Sequence, residues 1–151
     1  MTRKKVYRYL WLLLLVALII MQFFPIDKTN PTADASLDLI TMENPPQEIA
    51  MMLKGACYDC HSNNTKYPWY TSVAPISWWV KGHIDHGRDE INFSEWGNYK
   101  ADKANHYLEE SAEVVEEKRM PLTPYLILHP EAKISEEQRA TLAQWFKSKM
   151  K

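Results

Sequence analysis

A chain of 151 residues points to one compact domain plus appendages. Charged residues make up 25% of it, which excludes a wholly membrane-embedded protein. The net charge of −1 hides a split: the first eight residues carry Arg3, Lys4, Lys5, Arg8 and no acid, so the remainder is acidic and lacks the basic footprint of a nucleic-acid partner.

The first predicted element is an apolar run from Leu10 to Phe24, broken only by Gln22. As helix those residues rise about 22 Å, short of a hydrocarbon core about 30 Å thick. Counting from Val6 to Ile26 reaches that thickness, with Arg8 snorkelling toward the headgroups and Tyr7, Tyr9 and Trp11 in the interfacial belt. A basic start before an apolar run also fits a cleaved export signal. Phe23-Phe24-Pro25-Ile26-Asp27 offers no small residue for cleavage, and the nearest small-x-small site, Ala33-Asp34-Ala35, lies well downstream. No cysteine follows the run to serve as a lipoprotein anchor. The expectation is a retained, single-pass transmembrane helix over residues 1–26, its basic end cytoplasmic and the rest on the periplasmic side.

Residues 27–43 are mostly polar, contain Pro31, and read as a tether. The folded domain is expected over 44–151. Its first helix would start at Asn44 as N-cap, with Pro45 in the first turn and Gln47 as capping-box partner. Ile49, Met52, Leu53 and Ala56 then recur at helical spacing and lead into two cysteines. From Asn63 to Tyr99 the chain is aromatic and broken by Pro68, Pro75, Gly82, Gly87 and Gly97, with helical turns expected near Ile76–Ile84. A second helix is predicted over 100–118, with Ala101, Ala104, Leu108 and Val115 on its buried face. Glu109, Glu110, Glu113, Glu116 and Glu117 form a solvated acidic face. A proline-punctuated loop follows, and a last helix starts at Ser135 with Gln138 completing a capping box and Leu142, Trp145, Phe146 and Met150 as its stripe. No strand pattern or internal repeat is present, so the fold class is all-α: a small helical domain after an N-terminal transmembrane helix.

Cys57-Tyr58-Asp59-Cys60-His61 carries the chemistry. Two cysteines two residues apart with His next match the c-type haem attachment motif. On one helical turn Cys57, Cys60 and His61 project to one side, so two thioethers can hold a porphyrin edge while the imidazole reaches iron. A structural zinc site lacks a second cysteine pair. A redox dithiol would follow a strand, and a simple disulfide would leave His61 without a role. Candidates for a sixth iron ligand are Met120, His83, His86, His106 and His129. Met120 lies in a constrained loop before Pro121; His83 shares a helical side with Trp78 and Trp79, although a lone His beside aromatics is more often a hydrogen-bonded core residue. His86, His106 and His129 read as surface residues. Arg88, Trp96 and the Asn92 amide are candidate partners for a buried carboxylate such as a haem propionate. Tyr67, Trp69, Trp78, Trp79 and Tyr125 are expected to pack the porphyrin or the core.

The order helix, C-x-x-C-H, long loop, helix, Met-Pro loop, helix resembles a class I cytochrome c. More specifically, Ala56-Cys57-Tyr58-Asp59-Cys60-His61-Ser62-Asn63, Pro75-Ile76-Ser77-Trp78-Trp79-Val80, Gly87-Arg88 through Asn92-Phe93-Ser94-Glu95-Trp96, and Met120-Pro121 with His129-Pro130-Glu131-Ala132 resemble the haem-binding domain family of bacterial membrane-tethered c-type cytochromes. That resemblance covers roughly residues 45–150. It implies one covalently attached haem c with its iron, Cys57 and Cys60 as thioethers, His61 as proximal ligand and Met120 as distal ligand. The expected role is electron transfer between redox partner proteins of the cell envelope rather than catalysis. A haem-based redox or gas sensor and a small peroxidase-like enzyme are the alternatives; both would need an open distal site.

Overall fold

The computed structural model describes residues 2–151, all helix and connection, with no strand among them. The chain divides into two compact units, one of residues 2–29 and 66–85, the other of 30–65 and 86–151.

The second unit holds the core. Helix α2 (Leu39–Glu43) opens it, with the Asp38 carboxylate accepting from the Ile40 amide as N-cap. Leu39 is fully buried, so the segment expected to be a tether supplies part of the core. Leu37, Leu39, Ile40 and Met42 cluster within six residues, too short a run for a periodic signal, which is why sequence alone reads the stretch as a tether. Asn44 is not an N-cap: at φ 41° it closes α2 in the left-handed region, a conformation Asn tolerates. Helix α3 (Gln47–Ala56) starts after Pro46 without a side-chain cap and buries Ile49, Met52 and Leu53. It breaks at Cys57, whose φ of −127° ends it, and a single new turn, α4 (Tyr58–His61), follows.

Helix α5 (Ile76–Glu90) runs straight through Gly82 and Gly87, positions that read as breakers. The chain then forms a 3-10 stretch (Phe93–Asn98) that buries Phe93, Ser94 and Trp96, and continues into α6 (Ala101–Glu116). Tyr107, Leu108, Ala112 and Val115 form the buried stripe of α6; Ala101 is exposed. A short helix, α7 (Thr123–Leu128), precedes α8 (Glu136–Ser148). The expected capping box is present: Ser135 Oγ accepts from Gln138 N at 3.1 Å and Gln138 Oε1 accepts from Ser135 N at 2.9 Å. Helices α6 and α8 pack side by side, with Leu142, Ala143, Trp145 and Phe146 facing inward. Met150, expected in that stripe, lies past the helix end and is 39% exposed.

The first unit contains α1 (Arg3–Met21), a 3-10 turn (Trp69–Ser72) and α5 up to Asp85. Among the described residues no helix is long and apolar enough to cross a membrane. The span expected from Val6 to Ile26 is not one helix, because the chain turns at Gln22–Phe24. Pro25 has no amide to continue the ladder and biases Phe24 away from helical geometry.

Candidate functional site

The kink at Cys57 builds the site. Its carbonyl accepts from the Cys60 and His61 amides at 3.2 and 2.9 Å, which winds Cys57-Tyr58-Asp59-Cys60-His61 into one turn. The two thiols are free and partly exposed. Burial pushes the Cys57 thiol up to about 12, with Cys60 adding to it; burial and the Asp59 carboxylate push Cys60 up to about 11. Both are therefore neutral thiols at neutral pH.

His61 is held by the backbone. Its Nδ1 lies 2.8 Å from the Gly87 carbonyl and 3.3 Å from the Ile91 carbonyl. A carbonyl can only accept, so Nδ1 carries the proton and Nε2 is left with its lone pair. Burial lowers the His61 pKa, partly offset by those two carbonyls, and so favours the neutral ring that binds metal. The ring also leans on Phe93 at a centroid distance of 6.0 Å. Gly87 makes this geometry possible: a Cβ there would sit 2.9 Å from the Cys60 carbonyl oxygen.

The turn is pinned from several directions within the second unit. Tyr58 stacks on Phe93 at 5.4 Å, and its hydroxyl donates to the Asp38 carboxylate at 2.9 Å. Burial raises the Tyr58 pKa, and Asp38 adds to the shift, so the phenol stays a donor. From α7, the Tyr125 hydroxyl donates to Asp59 Oδ2 at 2.9 Å. After the motif, Ser94 Oγ accepts from the Asn63 amide at 3.1 Å, and Asn92 Nδ2 donates to Asn63 Oδ1 at 2.8 Å.

The remaining candidates fall in different places. Arg88 donates through Nε to the Ser62 carbonyl and through Nη2 to Asn30 Oδ1 and Thr65 Oγ1, all within 2.9 Å. All three acceptors are neutral. Asn92 Oδ1 accepts from the Ser94 amide at 3.1 Å, so both ends of that side chain are engaged inside the fold. Trp96 is buried, and its indole N–H points to Glu43 Oε1 at 3.2 Å. Met120 is half-buried and its backbone is clamped: its amide donates to the Val114 carbonyl at 3.0 Å, and its carbonyl accepts from Arg139 Nη1 at 2.7 Å. The same Nη1 donates to the Val115 carbonyl at 2.7 Å.

Trp78, Trp79 and His83 belong to the first unit. His83 packs on Trp79 at 4.1 Å and donates from Nδ1 to the Trp79 carbonyl at 2.8 Å. His86 and His106 lie on the surface as expected. His129 does not: its side chain is 12% exposed, stacked on Tyr125 at 4.1 Å and paired with Glu131. The stacking partner comes from a helix that the proline pattern obscures. Trp69, expected as a packing residue, is 78% exposed.

Gly87, which makes room for the Cys57–His61 turn, and Arg139, which clamps the Met120 loop, have no site role in the sequence reading, and Tyr125, expected as a packing residue, instead donates to Asp59. Gly87 reads from sequence as a breaker, whereas it lies within α5 and is the point of close approach to Cys60. Among the described residues no group of three or more His, Cys, Asp or Glu is arranged to hold a bare metal ion. One imidazole oriented by the Gly87 and Ile91 carbonyls, beside two free thiols, is instead a donor set that fits a haem group.

No curated protein and no solved structure matches the chain. The haem-binding domain family matches residues 16–148, a span that takes in the site, the segment read as a tether and the last six residues of α1. This chain belongs to the haem-binding domain family.

Proposed function

We propose that the protein is a membrane-anchored monohaem c-type cytochrome, facing the periplasm, that passes electrons between redox partners of the cell envelope. The observation that carries this reading is the His61–Gly87 hydrogen bond, which leaves Nε2 free as an iron ligand on the turn that also presents Cys57 and Cys60. Cys57 and Cys60 would hold the haem by adding across its vinyl groups, sulfur to one carbon and the thiol proton to the other, which needs no oxidant. The bound iron supplies the ferric–ferrous couple.

In this reading Met120 is the distal ligand, and the backbone clamp from Val114 and Arg139 supports it by holding the loop before Pro121. His83 is the rival ligand. A closed six-coordinate site favours a carrier over a sensor or a peroxidase, because neither exogenous ligand nor peroxide could reach the iron. The basic start and apolar body of α1 support an anchor of the expected orientation. Acid–acetone extraction of protein matured with c-type assembly machinery tests the attachment. Haem should stay with the polypeptide, and Cys57→Ser/Cys60→Ser should release it. Haem extracted from the unaltered protein would refute covalent attachment.

A further inference from the structure

The apolar part of α1 inside the helix, Leu10–Met21, rises only about 18 Å, well below a hydrocarbon core of about 30 Å. The first unit surrounds the end of that helix with more apolar surface. Phe23 and Phe24 follow it and are 77% and 61% exposed. Beside them, the segment 66–85 exposes Trp69, Val73, Ile76, Trp78 and Trp79. This segment is bonded to the helix end. Gln22 Nε2 donates to the Ala74 carbonyl and Gln22 Oε1 accepts from the Ala74 amide, each at 3.0 Å. Trp78 Nε1 donates to the Phe24 carbonyl at 2.8 Å.

Those bonds matter as much as the aromatic surface. Gln22 is the one polar side chain in the apolar run, and its amide is satisfied at both ends, with a further bond to the Leu18 carbonyl at 2.7 Å. Unpaired polar groups exclude a segment from a low-dielectric layer, and these are paired. Tryptophan is the residue that settles at the boundary between headgroups and acyl chains, apolar ring inward and N–H toward polar partners. On α5 the polar flank follows at once, with Lys81 ion-paired to Asp85. Exposed aromatic and aliphatic side chains on a segment bonded to the end of an apolar helix are matched by a lipid surface rather than by water.

We infer that residues 66–85 form an aromatic collar that docks into the lipid interface around the exit of α1, completing an anchor whose helix alone is too short. The inference rests on α1 being the membrane anchor.

The test uses full-length, haem-loaded protein reconstituted in phosphatidylcholine–phosphatidylglycerol vesicles containing a phospholipid with a photoreactive diazirine near the headgroup. After photolysis, adducts are mapped by peptide mass spectrometry. Adducts are expected on residues 10–24 and also on 66–85, and Trp69→Ser/Ile76→Ser should reduce the second set several-fold while leaving the first. Adducts on α1 alone would overturn the collar and leave the anchor standing. Adducts on 66–85 alone would overturn the anchor and support the collar as a peripheral contact. Adducts on neither would overturn both, and an undiminished signal from the double variant would overturn the assignment to these side chains.

Discussion

Gly87→Ala isolates the feature on which His61 depends. Gly87 lies inside α5, so helix propensity alone predicts that alanine stabilises the protein by about 0.5–1 kcal/mol. The added Cβ would sit 2.9 Å from the Cys60 carbonyl oxygen and 3.3 Å from the Cys60 carbonyl carbon and Cβ. These atoms belong to the Cys57–His61 turn, so the conflict must move α5 or the turn. Overpacking of this kind costs about 1–3 kcal/mol, which over most of that range exceeds the propensity gain and leaves a net loss of up to about 2.5 kcal/mol. The same shift stretches the 2.8 Å bond from His61 Nδ1 to the Gly87 carbonyl. Gly82→Ala is the control, since on the same helix its Cβ would meet nothing within 4 Å. Thermal unfolding followed by circular dichroism should place Gly82→Ala above the parent protein and Gly87→Ala below it. At about 4–8 °C per kcal/mol for a domain near 100 residues, the two are readily separated. The Gly87→Ala spectrum should also show a disturbed iron–histidine bond. If Gly87→Ala is as stable as Gly82→Ala and its haem spectrum is unchanged, the close-approach argument is wrong.

Met120→Ala should open the sixth position, lower the potential and admit carbon monoxide while leaving the haem covalently attached; His83→Ala should change none of these. The opposite pattern in carbon monoxide titrations would make the site bis-histidine. Arg139→Met removes both donations that tie Met120 to Val115 and should cost about 1.5–3 kcal/mol by urea titration. It should also weaken the near-infrared sulfur-to-iron band of the ferric protein; a stability loss with that band intact would make Arg139 purely structural. Tyr125→Phe deletes a hydroxyl bonded to the Asp59 carboxylate and should destabilise by about 1.5–3 kcal/mol, and an unchanged urea midpoint would count against that bond.

The local signals in this chain were legible without coordinates. The Cys57–His61 turn is contiguous, and its C-x-x-C-H spacing is a signal for haem, in keeping with the family to which the chain belongs. The α8 capping box and the α6 apolar stripe are likewise written within a few residues of each other, because a helix joins positions three and four apart. What could not be read is everything set by residues distant in sequence. The proton on His61 Nδ1 is assigned by a carbonyl 26 positions away, and that carbonyl is reachable only because Gly87 has no side chain. Leu39 is core rather than tether because elements far along the chain close over it, and Asn44 ends a helix that no periodicity predicted. Arg88 and Asn92 are engaged by Asn30, Ser62, Asn63 and Thr65, neutral groups that only the fold brings to them. Periodicity and motif spacing are properties of one segment; which backbone atom meets which side chain depends on how segments pack, and short-range pattern carries no information about that.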